Sequence, residues 1–262
     1  MDTQFEKSTF SKRLKSMLKV DFKRMFTMSL VYIMAGVSLA IPILILVMTT
    51  MMSGEIDPTT GAEAMQGFTN VWQAIGSVSG SAMSMDLASM CNINMLYLLV
   101  AVFVCIFVSE DFRSGYAKNL FTVRSQKIDY VFSKTLVTFV GAVIMFTMYF
   151  IGAMIGGGIA GLSFDMVAFN AASLVACMFS KIFLVAIFVG IALTLSVAAK
   201  QRLWISILGS LAAEMLLFTM IPMIAPLNSN FLNVLLTLAG GGLFATGLGA
   251  VSCVILNKTS LA

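Results

Sequence analysis

Six stretches of this chain are each apolar enough and long enough to cross a lipid bilayer: Leu30–Met52, Met90–Val108, Leu136–Ile159, Leu174–Ala198, Leu203–Ile224 and Val234–Leu256. A bilayer core requires about 20 consecutive apolar residues per helix. Four of the six carry no charge, while Lys181 interrupts the fourth and Glu214 the fifth. In hydrocarbon every backbone N–H and C=O must find its partner within the protein, which restricts spanning elements to helices and closed barrels. The long alternating apolar–polar segments of a barrel are absent, so helices are expected. Only 11% of the 262 residues are charged and 59% are hydrophobic, whereas a soluble domain carries about 25% charged residues. A water-facing surface cannot be built from so few charges, which excludes a soluble enzyme, a nucleic-acid-binding protein and a secreted disulfide scaffold. The expected fold class is all-α integral membrane. A single transmembrane domain is expected over 1–262, with residues 1–28 as a cytoplasmic interfacial amphipathic segment and 30–256 as a six-helix bundle.

Orientation follows from the basic residues. Lys7, Lys12, Arg13, Lys15, Lys19, Lys23 and Arg24 precede the first span, and Arg113, Lys118, Arg124, Lys127 and Lys134 follow the second. Lys200 and Arg202 follow the fourth span and Lys258 follows the sixth. The remaining loops carry Glu55, Asp57, Glu63, Asp86 and Asp165 instead. By the positive-inside rule both termini face the cytoplasm. No cleavable signal peptide is expected, because the first span is too long for an h-region. In the N-terminal segment Phe10, Leu14, Met17, Leu18, Phe22, Met25 and Phe26 recur at helical spacing between basic residues. That pattern predicts a helix lying in the inner headgroup layer, apolar side down. The outer loop from Ser53 to Leu87 is expected to hold one short helix, with Phe68 and Trp72 anchoring at the interface.

The residue inventory bounds the chemistry. Without histidine, serine–histidine and zinc-hydrolase sites are excluded. No span contains an aspartate, which removes intramembrane aspartyl chemistry, and no phosphate-binding loop is present. The chain is therefore expected to be non-catalytic, with no bound cofactor or metal. Cys91, Cys105, Cys177 and Cys253 lie singly in apolar runs, where cysteine behaves as a small hydrophobe. Gly152-x-x-x-Gly156 and Gly157-x-x-x-Gly161 mark close helix packing in the third span, and the Gly240–Gly242 cluster does so in the sixth. Glu214 lies 12 residues beyond Arg202, hence roughly 18 Å from the inner face and near the midplane. A charge there is costly unless it is protonated, paired or hydrated, which makes Glu214 a candidate for the translocation path. Lys181, nearer the outer face, is the second candidate for the translocation path; it is able to snorkel outward, and a structural role is the preferred expectation for it.

The second cytoplasmic loop, Ser109–Lys134, is the most informative segment. Ser109 reads as an N-cap, with Glu110 and Asp111 at the positive end of a short helix. Phe112, Tyr116 and Leu120 share one face of that helix, offered to the cytoplasm or to a partner, and Ser125 caps the next helix. The run Glu110…Gly115-Tyr-Ala-Lys-Asn-Leu…Lys127…Lys134 resembles the signature loop of ABC-2 type permeases, the membrane subunits of bacterial ABC exporters. In that family an acidic residue precedes a glycine, a basic residue follows twelve positions later, and a lysine seven beyond that. Gly115, Lys127 and Lys134 keep the spacing. Lys127 stands where arginine is usual, and Arg124 where proline or a small residue is common. The layout of interfacial helix, six spans, long first outer loop and cytoplasmic termini is similar as well.

The resemblance implies an ABC-2 (type V exporter) fold in the plasma membrane of a bacterium. It implies that Glu110, Asp111, Phe112, Arg113, Gly115, Tyr116, Lys118, Leu120 and Phe121 form a coupling helix docking on a cytosolic ABC ATPase. It implies a re-entrant hairpin after the fifth span, near Pro222 and Pro226. Two ATPase copies would carry ATP and Mg, and a second permease copy would complete the path. The loop is similar to those of small stand-alone permeases of peptide exporters, such as phenol-soluble modulin exporters and lantibiotic or bacitracin self-protection systems. The 21 methionines and 21 phenylalanines suit an amphipathic or antimicrobial peptide cargo. The competing expectation is a secondary transporter or channel for a small solute or ion, using Glu214.

Overall fold

A computed structural model describes residues 10–52, 68–77, 92–123, 127–166, 169–218 and 220–258. The acids Glu55, Asp57, Glu63 and Asp86, the Ser125 cap, Arg124 and Cys91 lie outside the described residues. Nine α-helices are described: α1 Phe10–Thr27, α2 Ser29–Met52, α3 Met95–Arg113, α4 Tyr116–Val123, α5 Lys127–Ala160, α6 Ala171–Ala199, α7 Leu203–Phe218, α8 Ile221–Ile224 and α9 Phe231–Lys258. No β-strand occurs among the described residues; the sole extended pairing is an isolated bridge between Asn70 and Ser163. The chain is all-helical, and α2, α3, α5, α6 and α9 are each long and apolar enough to cross a membrane.

The fifth expected span differs from the other five. At 16 residues, α7 rises about 24 Å, short of a hydrocarbon core of about 30 Å. Pro222 sits in the first turn of α8, where its missing N–H costs nothing but where α7 cannot be continued. The connection to α9 is thus a single helical turn rather than a helical hairpin. Ile221, Ala225 and Leu227 bury themselves there, and the Leu227 N–H donates to the Ser77 carbonyl at 2.9 Å.

In the bundle, α3 is central and packs on α5, α6 and α7, burying Leu96, Val100, Phe103, Val104, Phe107 and Val108. The tightest pairs are α2 with α5 and α6 with α9. Glycine permits both. A Cβ at Gly152 would overlap the Leu39 carbonyl oxygen and approach Pro42 Cγ within 2.8 Å; one at Gly156 would lie 2.8 Å from Ile43 Cα. Gly241 rests likewise on the Phe183 carbonyl of α6. Small residues allow the backbone approach that substitutes for a hydrophobic driving force in lipid. The second expected pair is corrected. Gly157 makes room for Val71 of the outer segment, while Gly161 meets nothing within 4 Å and has φ +68°, ending α5 in the left-handed conformation that glycine holds without strain.

The end of the bundle opposite the basic residues is also closed more tightly than expected. Trp72 and Phe68 are buried rather than anchored in lipid. Trp72 Nε1 donates to the Phe164 carbonyl at 2.9 Å, and its ring meets Phe164 and Phe169 edge-on at 6.3 Å. Asn70 caps the 3-10 turn Val71–Ala74 by accepting from the Trp72 N–H. Aromatic side chains of these loops pack on one another instead.

Candidate functional site

The basic end of the bundle carries a buried network of opposite charges that joins α1, α3 and α5. It begins with α1. Its buried face is the stripe Met17–Asp21–Met25, one residue per turn, packed on α5, while Lys12, Lys15, Lys19 and Lys23 stay exposed. The interfacial helix expected from the sequence is present, but an acid sits in the middle of its apolar stripe. That acid needs a partner, because an isolated buried carboxylate is prohibitively costly.

Lys134, in the second turn of α5, supplies it. Lys134 Nζ lies 2.9 Å from Asp21 Oδ1 and 2.7 Å from Asp111 Oδ2, and all three side chains are fully buried. Asp111 in turn meets Arg24 Nη1 at 2.7 Å. The Ser133 hydroxyl donates to Asp21 Oδ2 at 2.6 Å and the Tyr130 hydroxyl to Asp111 Oδ2 at 3.0 Å. One turn further along, Arg13 Nε donates to Asp129 Oδ2 at 2.9 Å. Asp21, Asp111 and Asp129 are thus matched by Lys134, Arg24 and Arg13. Asp111 stands at the C-terminal end of α3, where the helix macrodipole disfavours an anion, so its two cations are required. Asp129 is in the first turn of α5, where the dipole favours it.

The network reaches α4 through Tyr116. The Arg24 guanidinium lies 4.1 Å from the centre of the Tyr116 ring, a cation–π contact in a partly desolvated place. Burial pulls the Arg24 pKa down, but Asp111 and then the Tyr116 and Asp21 charges outweigh it, and the net direction is up. The Tyr116 hydroxyl is also raised above its ordinary value, by burial first and then by Asp21. Both groups therefore hold their usual charge states: Arg24 is protonated and Tyr116 neutral. Lys134 Nζ is 4.3 Å from the Phe107 ring centre.

The expected coupling segment is rearranged around this core. Ser109 is not an N-cap: α3 runs through it to Arg113, so Glu110 and Asp111 close α3 instead of opening the next helix. The break falls at Ser114–Gly115, where Gly115 has φ +73°. Ser114 closes the turn by donating through both its N–H and its hydroxyl to the Glu110 carbonyl. Phe112 is buried with its ring edge-on to Tyr130 at 6.5 Å, and Phe121 meets the same ring at 5.2 Å. The aromatics of this segment face the bundle, not the cytoplasm, because Tyr130 and the α1 stripe offer an apolar bed. Arg113, Ser114, Lys118, Asn119 and Thr122 are exposed here, and Leu120 is half-buried. Lys127 ties α5 to α9 by donating to the Leu256 carbonyl.

Asp21, Arg24, Asp129 and Arg13 were not singled out by sequence reasoning. The signal was available for Asp21, the one acid in α1, four residues from Met17 and from Met25 on the same face.

The two intramembrane charges part company. Lys181 does not snorkel: it is fully buried and donates to Asn94 Oδ1 at 2.6 Å, while Tyr97 donates its hydroxyl to the Lys181 carbonyl at 2.9 Å. Glu214 is fully buried too, but neither carboxyl oxygen has a hydrogen-bond partner among the described residues. It continues a polar line on α7, Ser206–Ser210–Glu214, whose first two members pair with Ser196 at 2.7 Å and Cys105 at 3.2 Å. Cys177 is a free thiol directed at the Ala225 carbonyl. No group of metal-ligating residues occurs among the described residues.

The fold defines an all-helical protein of membrane-embedded character, with a balanced charge cluster at its basic end. No protein-family model, curated protein or solved structure matches the chain.

Proposed function

We propose that this chain is the membrane-spanning subunit of an ATP-driven exporter of the ABC-2 type, working as a dimer with two cytosolic ATPase subunits. The observation that supports this best is α4. It is a short helix beyond the end of α3, exposing Lys118, Asn119 and Thr122 on one side and held through Tyr116 by the Arg24–Asp111–Lys134–Asp21 chain on the other. A push on such a helix passes to α1, α3 and α5 together, because buried ion pairs resist separation. ATP and Mg belong to the ATPase in this reading, and the chain itself performs no chemistry. Six crossings are proposed, with α7 and α8 together as the fifth. Cargo of amphipathic peptide type fits the abundance of methionine and phenylalanine in the chain. Both termini would be cytoplasmic in a bacterial plasma membrane.

The test is co-purification of the full chain from a bacterial membrane, followed by an ATPase assay. The expected result is capture of a cytosolic ATPase, weakened by Thr122→Arg, which lies outside the cavity lining, with the bundle still folded. Cargo transport by the ATPase-free chain in vesicles would overturn the proposal. That outcome would favour the second reading, a secondary transporter or channel, for which the partnerless Glu214 is the supporting observation.

A further inference from the structure

On the side of α4 away from the charge network, a cavity of about 430 Å³ opens between the α3–α4 corner and the α6–α7 turn. Arg113 and Lys118 line it from one side and Lys200, Gln201 and Arg202 from the other. No aspartate or glutamate lines it. None of the four cations makes an ion pair among the described residues, whereas Arg13, Arg24 and Lys134 all do. Four like charges around one opening repel each other, and no counter-ion for them is supplied among the described residues.

The turn itself is held under strain. Ala199–Arg202 is closed by the Arg202 N–H donating to the Ala199 carbonyl at 3.1 Å. Lys200 occupies its second position with φ +55° and ψ −112°, a geometry that glycine ordinarily takes. A lysine is kept where the backbone favours glycine, which points to a use for its charge. Depth comes from Trp204, two residues beyond Arg202 and 76% exposed. An exposed tryptophan beside basic residues at a helix end belongs at headgroup level, with Ile205 and Leu208 facing the acyl chains.

We infer that this cavity binds the phosphate oxyanion of an anionic phospholipid in the inner leaflet. A phosphodiester presents charge-accepting oxygens to Arg113 and Arg202 and point-charge contacts to Lys118 and Lys200. Its glycerol and acyl portion would lie along Leu208 and Trp204. Basic pockets between helices at the cytoplasmic face are suited to such headgroups. The inference rests on the membrane embedding and on the basic end facing inward, not on any ATPase.

The test is native mass spectrometry of the full chain in detergent, titrated with phosphatidylglycerol, with phosphatidylcholine or with inorganic phosphate. The unmodified chain should retain phosphatidylglycerol in preference to phosphatidylcholine. Each cation removed should weaken retention about fivefold. Lys200→Gly relieves the strained turn, so this variant should fold at least as well as the unmodified chain while losing lipid. Lys200→Gly with Arg202→Gln should lose about 25-fold, and Lys15→Gln with Lys19→Gln, on the exposed face of α1, far less. Equal retention of the two lipids by the unmodified chain would overturn the inference. So would full displacement of lipid by inorganic phosphate, which would make a free anion the ligand. Unchanged lipid retention in the double variant, with loss of a bound acidic protein, would overturn it in favour of a protein partner.

Discussion

Lys134→Met removes the cation that Asp21 and Asp111 share. At distances of 2.9 and 2.7 Å, each contact is worth about 6 kcal/mol of gross attraction at an effective dielectric constant of about 20. Desolvation of three fully buried ions offsets most of that, so the intact arrangement contributes little net stability. Removing one partner is different, because two carboxylates then face each other without their common cation, and about 3–5 kcal/mol is lost. Arg24 still neutralises Asp111 from the other side, so Asp21 bears most of the loss. Adding Asp21→Asn to Lys134→Met should therefore recover roughly 2–3 kcal/mol, whereas Asp21→Asn alone destabilises. The assay is reversible unfolding of the purified chain in mixed micelles, read by circular dichroism as a double-mutant cycle. Additive effects of the two substitutions, or a loss below about 1 kcal/mol for Lys134→Met, would refute the account of a buried, mutually dependent cluster.

Gly152→Ala is expected to cost about 1–3 kcal/mol, because the new methyl meets a backbone carbonyl that cannot step aside. Gly240→Ala, with nothing within 4 Å, should be neutral or stabilising by up to about 1 kcal/mol in the same unfolding assay. Asn94→Ala should destabilise more than Lys181→Met, since the first strands a buried ammonium while the second removes it; thermal midpoints of the two variants decide the order. Raising the pH should leave the α1–α4 contact intact until the ordinary tyrosine value near 10 is passed. The Tyr116 pKa is higher folded than unfolded, so deprotonation opposes folding above that point, and Tyr116→Phe should remove this alkaline loss, read by proteolysis at the Ser114–Gly115 corner.

Much of the fold was legible because lipid leaves few choices. Uncharged runs of about 20 residues, flanked by lysine and arginine on one side, mark the long helices. The shortened α7 was announced by Pro222. The errors at Ser109 and Phe112 share a cause. A serine followed by two acids has the chemistry of a helix start, but here the apolar periodicity of α3 continues through it. Tyr130, Lys134 and Arg24, distant in sequence, decide which way Phe112 and Asp111 face. Local pattern cannot report which two of the many lysines and acids will be brought together by packing. Trp72 and Lys181 make the same point at the other end: each has a side chain suited to the membrane surface, and each finds a partner in the protein instead.

Only Met28 separates α1 from α2, with its N–H still reaching the Arg24 carbonyl at 3.0 Å. Residues 10–52 are therefore a bent lever clamped to α5 at two heights, by charge at Asp21–Lys134 and by interlocked backbone at Gly152–Leu39. Sliding of the lever along α5 would break both clamps at once. The motion left open is a joint swing of α1, α2 and α5 as one rigid crank that carries α3 with it through the Asp111 pairs to Arg24 and Lys134.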